Sequence, residues 1–525
     1  MLSDVVEALQ RATSSSLEFN VDTDLPKRYT LTDLAQDLPE VEHLPQIPTL
    51  SALSLCLRSV DRIDQVSQDH ESIAQLSNHA LGLLSNSSGS LSNTNPALAE
   101  QALDVLRSLV VRFSPSLDDQ DLIVIAAYTD RKRTWTTVNA ELYAREILKR
   151  SLDDVRKQAF ITSVVLEGFI RPIFSRTSSS RITSTGRKAH FADDSQDRFT
   201  AGSIADTDDA KPWKTTQAHA ITVFSWVVEH SNDALVEKSW PLFTPVLLAL
   251  LDDTDTEYKA RGLAILGDFL VKCPGKVLVQ TGLGDIFEQS VFPSLLSLPS
   301  LTPEKESLLL LDPAYNAIIQ LAKTQFSGEE DRDKKNGVLT RLLREGVFTG
   351  YWQASDYVGI VQLLARQTTS IVNELGFLAT AHLKELLSMV SAIMTDPFLA
   401  SHPSSIQAAA QAFGAIMVNC WPRISDKTHA GEVLRSISVC WLNMHAEHRS
   451  GQGNAAIKEA LAEVSKLAPI LRAIFAAADL PLKPYVSALL AAEPRLGDLF
   501  EDQGDGVVVL GEENSGGDLN QVAAA

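Results

Sequence analysis

Cysteine is scarce in this sequence. Four occur in 525 residues, Cys56, Cys273, Cys420 and Cys440, and no two form a CxxC pair. That argues against a disulfide framework and against a zinc site built on paired cysteines, and it suits a reducing compartment. Positive charge is also in short supply. Lys and Arg number 46 against 66 Asp and Glu, a net charge of −20. So acidic a chain lacks the basic footprint needed to bind nucleic-acid phosphate or anionic lipid. Long apolar runs are missing too. Stretches such as Leu122–Tyr128 fall far short of the ~20 residues of a spanning helix, so no membrane insertion is expected. The first residues, MLSDVVEALQ, carry Asp4 and Glu7 where a secretory leader carries positive charge. The sequon at Asn86 is then expected to stay idle.

Alternating strand-type patterns are nearly absent as well; Val507–Leu510, in a Gly- and acid-rich tail, is the one candidate. Helical periodicity dominates instead. In residues 97–113, Leu98, Ala102, Val105, Leu106, Leu109 and Val110 recur at steps of three and four, which makes one apolar face. The same period predicts helices in 138–170, 216–230, 356–375, 377–395, 404–420, 428–446 and 455–477. Many helices joined by short turns predict an all-α, HEAT-like helical-repeat solenoid. One pair makes the repeat specific. An apolar segment, Pro245–Asp253, meets a turn at Thr254–Glu257, and a second apolar helix follows from Tyr258 to Leu270 with Lys259 and Arg261 near its start. This resembles the HEAT repeat. Asp253 or Asp255 can accept hydrogen bonds from the unpaired N–H groups that open the second helix. Neither helix can bury its wide apolar face alone, so neighbours must stack.

Polar stretches interrupt the pattern. Residues 175–211 are rich in Ser, Thr and Asp, with a basic first half (Arg176, Arg181, Arg187, Lys188) and an acidic second half. They carry too little apolar surface to offset ordering entropy, so disorder is expected. After Phe500 the tail holds six acids and no Lys or Arg. Residues 84–96 and 326–337 read as shorter polar connectors.

Each catalytic signature has a plainer counterpart here. Gly282-Leu-Gly284 is half a dinucleotide fingerprint, with no strand before it and no third glycine in place; a turn between helices is the simpler reading. GxxxxGK[ST] and GxSxG are both absent. Asp252–Thr256 resembles the DxDx[TV] of aspartyl-phosphate phosphatases, but Glu257 takes the last position and the repeat turn accounts for these acids. His445 and His448 lie three apart without an HExxH pattern, and a helix end explains them. The chain is accordingly expected to be no enzyme and to hold no cofactor and no metal. Six tryptophans, Trp213, Trp226, Trp240, Trp352, Trp421 and Trp441, lie on or beside apolar faces. They can be core or interface anchors. Trp240-Pro241 and Trp421-Pro422 read as element boundaries.

The block from Lys211-Pro-Trp213-Lys214 through Trp226, Trp240-Pro-Leu-Phe-Thr-Pro245, Lys259-Ala-Arg261-Gly262, Lys272-Cys273-Pro274, Gly282-Leu-Gly284 and Leu298–Glu304 resembles the family of the second Tel-two-interacting protein, particularly its fungal members. Asn419–Ile424 resembles a second, shorter family block. The clear match covers about 211–320. The resemblance implies a scaffold subunit of the Triple T co-chaperone complex, with Tel-two and the first Tel-two-interacting protein as partners. It further implies support for the folding and stability of phosphatidylinositol-3-kinase-related kinases of the TOR and ATM types, with the ninety-kilodalton heat-shock chaperone system, and a link to the ASTRA assembly. Cytoplasmic and nuclear localisation is expected. An importin-like solenoid adaptor for basic cargo is the alternative, motivated by the acidic surplus.

The expected organisation is an N-terminal helical region at 1–174, the disordered loop at 175–211, a HEAT-like family core at 212–325, a C-terminal helical-repeat region at 326–500 and an acidic disordered tail at 501–525. Lys211, Trp213 and Lys214, just past the loop, are candidate partner contacts; packing of Trp213 at the next helix start is the plainer reading. Ser179 and Ser184 each follow an arginine by three residues, as basophilic kinases prefer. They are candidate phosphorylation sites, with a tolerated insertion as the plainer reading.

Overall fold

The structure is a computed structural model that describes residues 1–15, 24–38, 45–64, 69–84, 91, 94–175, 211–450 and 455–500. Among these the secondary structure is helical; extended pairing is confined to one isolated bridge between Tyr29 and Ile63. The chain is all-α and built as a helical-repeat solenoid. It parts into two compact units, Met1–Ala249 and Leu250–Ala525. The boundary falls in the last turn of the helix Asp233–Leu251, inside the stretch 212–325 expected to form one core.

In the first unit, the helices Gln46–Arg58, Pro96–Phe113 and Val138–Ser151 pack in one row. A second row runs through Asp69–Leu84, Asp119–Ala126, the segment Phe160–Ile170 and Ala220–His230. Local chemistry sets the helix starts. Asn95 Oδ1 accepts from Ala97 N (3.0 Å), with Pro96 in the first turn. Asp118 and Asp121 form a reciprocal capping box, and Asp153 Oδ1 accepts from Arg156 N (2.7 Å). Each cap satisfies an N–H that the helix cannot. The Asp153 cap also splits the helix expected over 138–170. The second row's segment at 160–170 is π-helical.

The second unit repeats one theme. The helices Thr256–Lys272, Glu304–Gln325, Val358–Leu375, Pro403–Asn419 and Ala455–Ser465 stack side by side. Leu283–Val291, the run 332–354, Leu383–Thr395 and Lys427–Ser450 pack on this row as an outer layer. The repeat turn works through Asp255, whose Oδ1 accepts from Glu257 N (2.9 Å) and Tyr258 N (3.5 Å). Buried Asp253 holds the turn itself, accepting from Asp255 N (2.8 Å). Gly262 sits where a Cβ would come within 2.6 Å of Leu250 Cβ, so glycine permits that close packing.

Two expectations fail locally. Trp240-Pro241 is no boundary. Pro241 and Pro245 both lie inside the helix Asp233–Leu251, and Thr244 Oγ1 donates to the Trp240 carbonyl (3.0 Å). The second half of the connector expected at 326–337 opens a helix, Arg332–Arg341, tied down by the 2.8 Å ion pair of Lys335 with Glu374. The helices Asp233–Leu251 and Val358–Thr395 reach the length and hydropathy of a membrane span, but half of each apolar window is buried in the fold. The second is also broken by a 3-10 turn at Gly376–His382.

Candidate functional site

The family block opens in a tight turn: Lys214 N donates to the Lys211 carbonyl (2.9 Å), and Gln217 N to the Pro212 carbonyl (2.8 Å). The turn drives Trp213 inward. Its ring is fully buried and stacks on Phe174, with centroids 5.3 Å apart and planes at 11°. The half-buried amines of Lys211 and Lys214 lie 5.9 and 5.6 Å from the Trp213 ring centroid, a cation–π arrangement. Further rings continue the cluster. Phe169 stacks on His219 (5.7 Å), and Phe160 meets Trp226 edge-on (6.1 Å). Burial pushes the His219 imidazole down to about 4, so it stays neutral near pH 7.

The Trp213 ring has no exposed area and packs within its own unit, against Phe174. Lys211 and Lys214 keep accessible surface. Ser179, Ser184, the rest of the 176–210 stretch, Asn86, Val507–Leu510 and the tail 501–525 lie outside the described residues.

The remaining candidates have structural roles. Gly282, at φ 71°, ends the helix Gly275–Thr281 and opens Leu283–Val291, so the half fingerprint is a helix–helix turn. His445 stacks on Trp441 one helical turn earlier, centroids 4.6 Å apart. Among the described residues, no group of three or more His, Cys, Asp or Glu could hold a metal ion. All four cysteines are buried free thiols, and burial pushes Cys56, Cys273 and Cys440 up to about 12 and Cys420 to about 11. That keeps them unreactive thiols at neutral pH.

The tryptophans divide. Trp213, Trp226 and Trp441 are buried, whereas Trp352 is 81% exposed. A local signal existed for Trp352. Gly350 and Ala354, small residues four apart, are buried, so the residue midway between them faces out.

Capped helix pairs in two layers, with apolar area left on the outside, define an all-α, HEAT-like helical-repeat protein. The Tti2 family model matches residues 122–401, more than half of the chain, and the chain belongs to the Tti2 family. The match reaches well beyond the block at 211–320 that carried the resemblance. A crystal structure of an engineered protein is similar at 14% identity and a TM-score of 0.34, covering 89% of this chain and 99% of that one. That likeness is too slight to bear on the fold.

Proposed function

We propose that this chain is a non-catalytic scaffold subunit of the Triple T complex, engaging the first Tel-two-interacting protein and, with Tel-two, supporting the folding, assembly and stability of phosphatidylinositol-3-kinase-related kinases. The observation that carries the reading is the family match over 122–401. In general terms, Tti2 membership supports a subunit of the Triple T complex; the kinases served, the link to the ninety-kilodalton chaperone system and to ASTRA, and residence in both cytoplasm and nucleus are finer parts of the proposal. The physical role follows from the architecture. Stacked helix pairs expose long ridges suited to another helical protein, and binding favours the folded, assembled state by mass action. Affinity capture of the tagged chain from cells tests it. Recovery of Tel-two and the first Tel-two-interacting protein is expected; recovery of neither overturns the reading.

The charge of −20 favours a second reading, an importin-like adaptor for basic cargo. Salt-sensitive capture of basic nuclear proteins, with no Triple T subunit among them, would select it.

A further inference from the structure

The sequence holds three Ser/Thr-Pro pairs: Ser114-Pro115, Thr244-Pro245 and Thr302-Pro303. The structure separates them. Thr244 is fully buried within the helix Asp233–Leu251. Ser114 is exposed, but buried Leu117 stands three residues after it. Thr302 is followed by Pro303, Glu304 and Lys305, all exposed, and preceded by Leu301, which is 89% exposed. It lies in the turn that leads into the helix Glu304–Gln325. Its backbone is held on both sides: Thr302 N donates to the Leu298 carbonyl (2.9 Å), and Ser307 Oγ donates to the Thr302 carbonyl (3.2 Å). The half-buried Thr302 hydroxyl has no hydrogen bond among the described residues. The helix that follows is open at its start. Pro303 stands at its N-cap and supplies no side-chain hydrogen bond, in contrast to Asn95, Asp118 and Asp255. The acids of the first turn are turned aside. Glu306 Oε2 accepts from Thr256 Oγ1 of the neighbouring helix (3.0 Å), and Glu304 Oε1 lies 3.1 Å from where a Cβ at Gly359 would be. Lys305 makes no ion pair among the described residues. A 22-residue helix therefore begins with uncapped N–H groups and a lysine in its first turn.

We propose that Thr302 is a phosphorylation site for a proline-directed Ser/Thr kinase, and that the phosphate caps the helix Glu304–Gln325. Two independent observations meet there: a Thr-Pro-x-Lys sequence on an exposed turn, and an uncapped helix start directly after it. The sequence selects the enzyme class. A kinase pocket that packs on the residue after the hydroxyl favours proline, which brings no N–H to leave unpaired. Lys305 supplies the basic residue three positions on. Access needs residues 301–305 to lift off, and a helix start without a side-chain cap opens more readily than the helix interior. In the transfer, Thr302 Oγ1 attacks the γ-phosphorus of ATP. A new O–P bond forms as the bond to the β-phosphate oxygen of the leaving ADP breaks, and the hydroxyl proton passes to the kinase's catalytic aspartate. The product carries about two negative charges and three acceptor oxygens. The first-turn N–H groups and Lys305 are the nearest donors in sequence, and the helix macrodipole favours the charge. Glu304 and Glu306 oppose it, but their carboxylates are directed toward Gly359 and Thr256. The helix packs between Thr256–Lys272 and Val358–Leu375, so a firmer start stiffens the inner row of the second unit. The proposal is independent of which partners the chain binds.

The test uses the folded full-length chain, ATP and a purified proline-directed kinase, with the phosphate placed by peptide mass spectrometry. The wild type is expected to take up phosphate at Thr302. Thr302→Ala should take up none in that peptide, and Pro303→Ala should be modified about tenfold more slowly. Thr302→Ala keeps both backbone hydrogen bonds, so its circular dichroism and melting should match the wild type. Hydrogen exchange of the phosphorylated chain then reads the cap: amides of residues 304–310 should exchange about fivefold more slowly than in the unmodified chain. Absence of phosphate at Thr302, or its appearance only after the chain has been thermally unfolded, overturns the site. Equal rates for Pro303→Ala and the wild type overturn the kinase class. Phosphate at Thr302 with exchange in 304–310 unchanged or faster overturns the cap.

Discussion

The two units solve the same packing problem with different residues. The first relies on large rings brought from separate segments, with Phe174 on Trp213 and Phe160 against Trp226, and on a buried carboxylate, Asp104, that gathers Ser54, Arg58 and Arg107. The second relies on glycine. Among the described residues, the glycines that allow a helix to approach another element, including Gly262 and Gly346, lie in the second unit; in the first, Gly82 meets nothing and Gly168 meets only its own helix. The difference shows outside as well. Trp352 on the outer run 332–354, and Leu301 and Phe398 in the turns between helices, are each more than 80% exposed. The first unit uses its aromatic area as core; the second leaves part of it free to be a surface.

The comparison breaks first at Trp213. If its ring is core, Trp213→Ala leaves a cavity and costs the first unit about 4 kcal/mol. Thermal melting together with hydrogen exchange should show faster exchange in peptides of residues 94–175 and 211–249. If melting is unchanged while partner binding falls, the ring acts as a contact and the contrast between the units collapses.

Asp104 is the next test. Burial alone would raise its carboxyl, but hydrogen bonds from Ser54, Arg58 and Arg107 outweigh that and hold it below its usual 3.8. Asp104→Ala removes the acceptor these groups share and should cost about 3 kcal/mol at neutral pH. Arg58 is 44% exposed and can turn to solvent, which keeps the loss below that of Trp213→Ala. Chemical denaturation reads it directly. A neutral outcome would mean that the cluster is an incidental surface arrangement.

In the second unit the matching substitution is Gly262→Val. Its side chain would meet Leu250 Cβ and backbone, so the helices must part, at a cost of about 2 kcal/mol. Exchange should rise in residues 250–272. Equal tolerance of valine at Gly262 and at Gly82, which has open space, would show that the close approach is not needed.

These differences also decide what the sequence could show. The second unit was legible because its cues are local. Asp255 precedes its helix by one residue, Gly262 lies in the motif that carried the resemblance, and the periods at 356–375 and 404–420 match Val358–Leu375 and Pro403–Asn419 to within two residues. What escaped depended on distant partners. The helix Arg332–Arg341 buries only Leu339 and is held by Lys335 reaching Glu374, 39 residues away, so its own sequence reads as a connector. The π turn at 342–348 leaves no periodic mark. The break between Ala455–Ser465 and Leu467–Ala477 had a readable cue in Pro469, in the first turn of the second helix. At the site, position singled out Lys211, Trp213 and Lys214, but burial of the indole depends on Phe174, which lies 39 residues earlier.

The smallest expected effect is a pH dependence that separates the units further. His219 stacks on Phe169 and burial holds it at about 4, below its ordinary 6.5. A histidine depressed in the fold binds its proton more readily when unfolded. Its contribution is therefore fully present above pH 6.5 and is lost as pH falls from 6.5 toward 4. Asp104, also depressed, contributes above 3.8 and loses that contribution only below it. The two windows do not overlap, so a stability titration from pH 7 to pH 4 reports His219 with little from Asp104. Exchange in peptides spanning 211–230 should rise over that window in the wild type, and His219→Gln should flatten the response. A response that survives the substitution would assign the sensitivity to another group, and the ring cluster would then hold the first unit without the neutral imidazole.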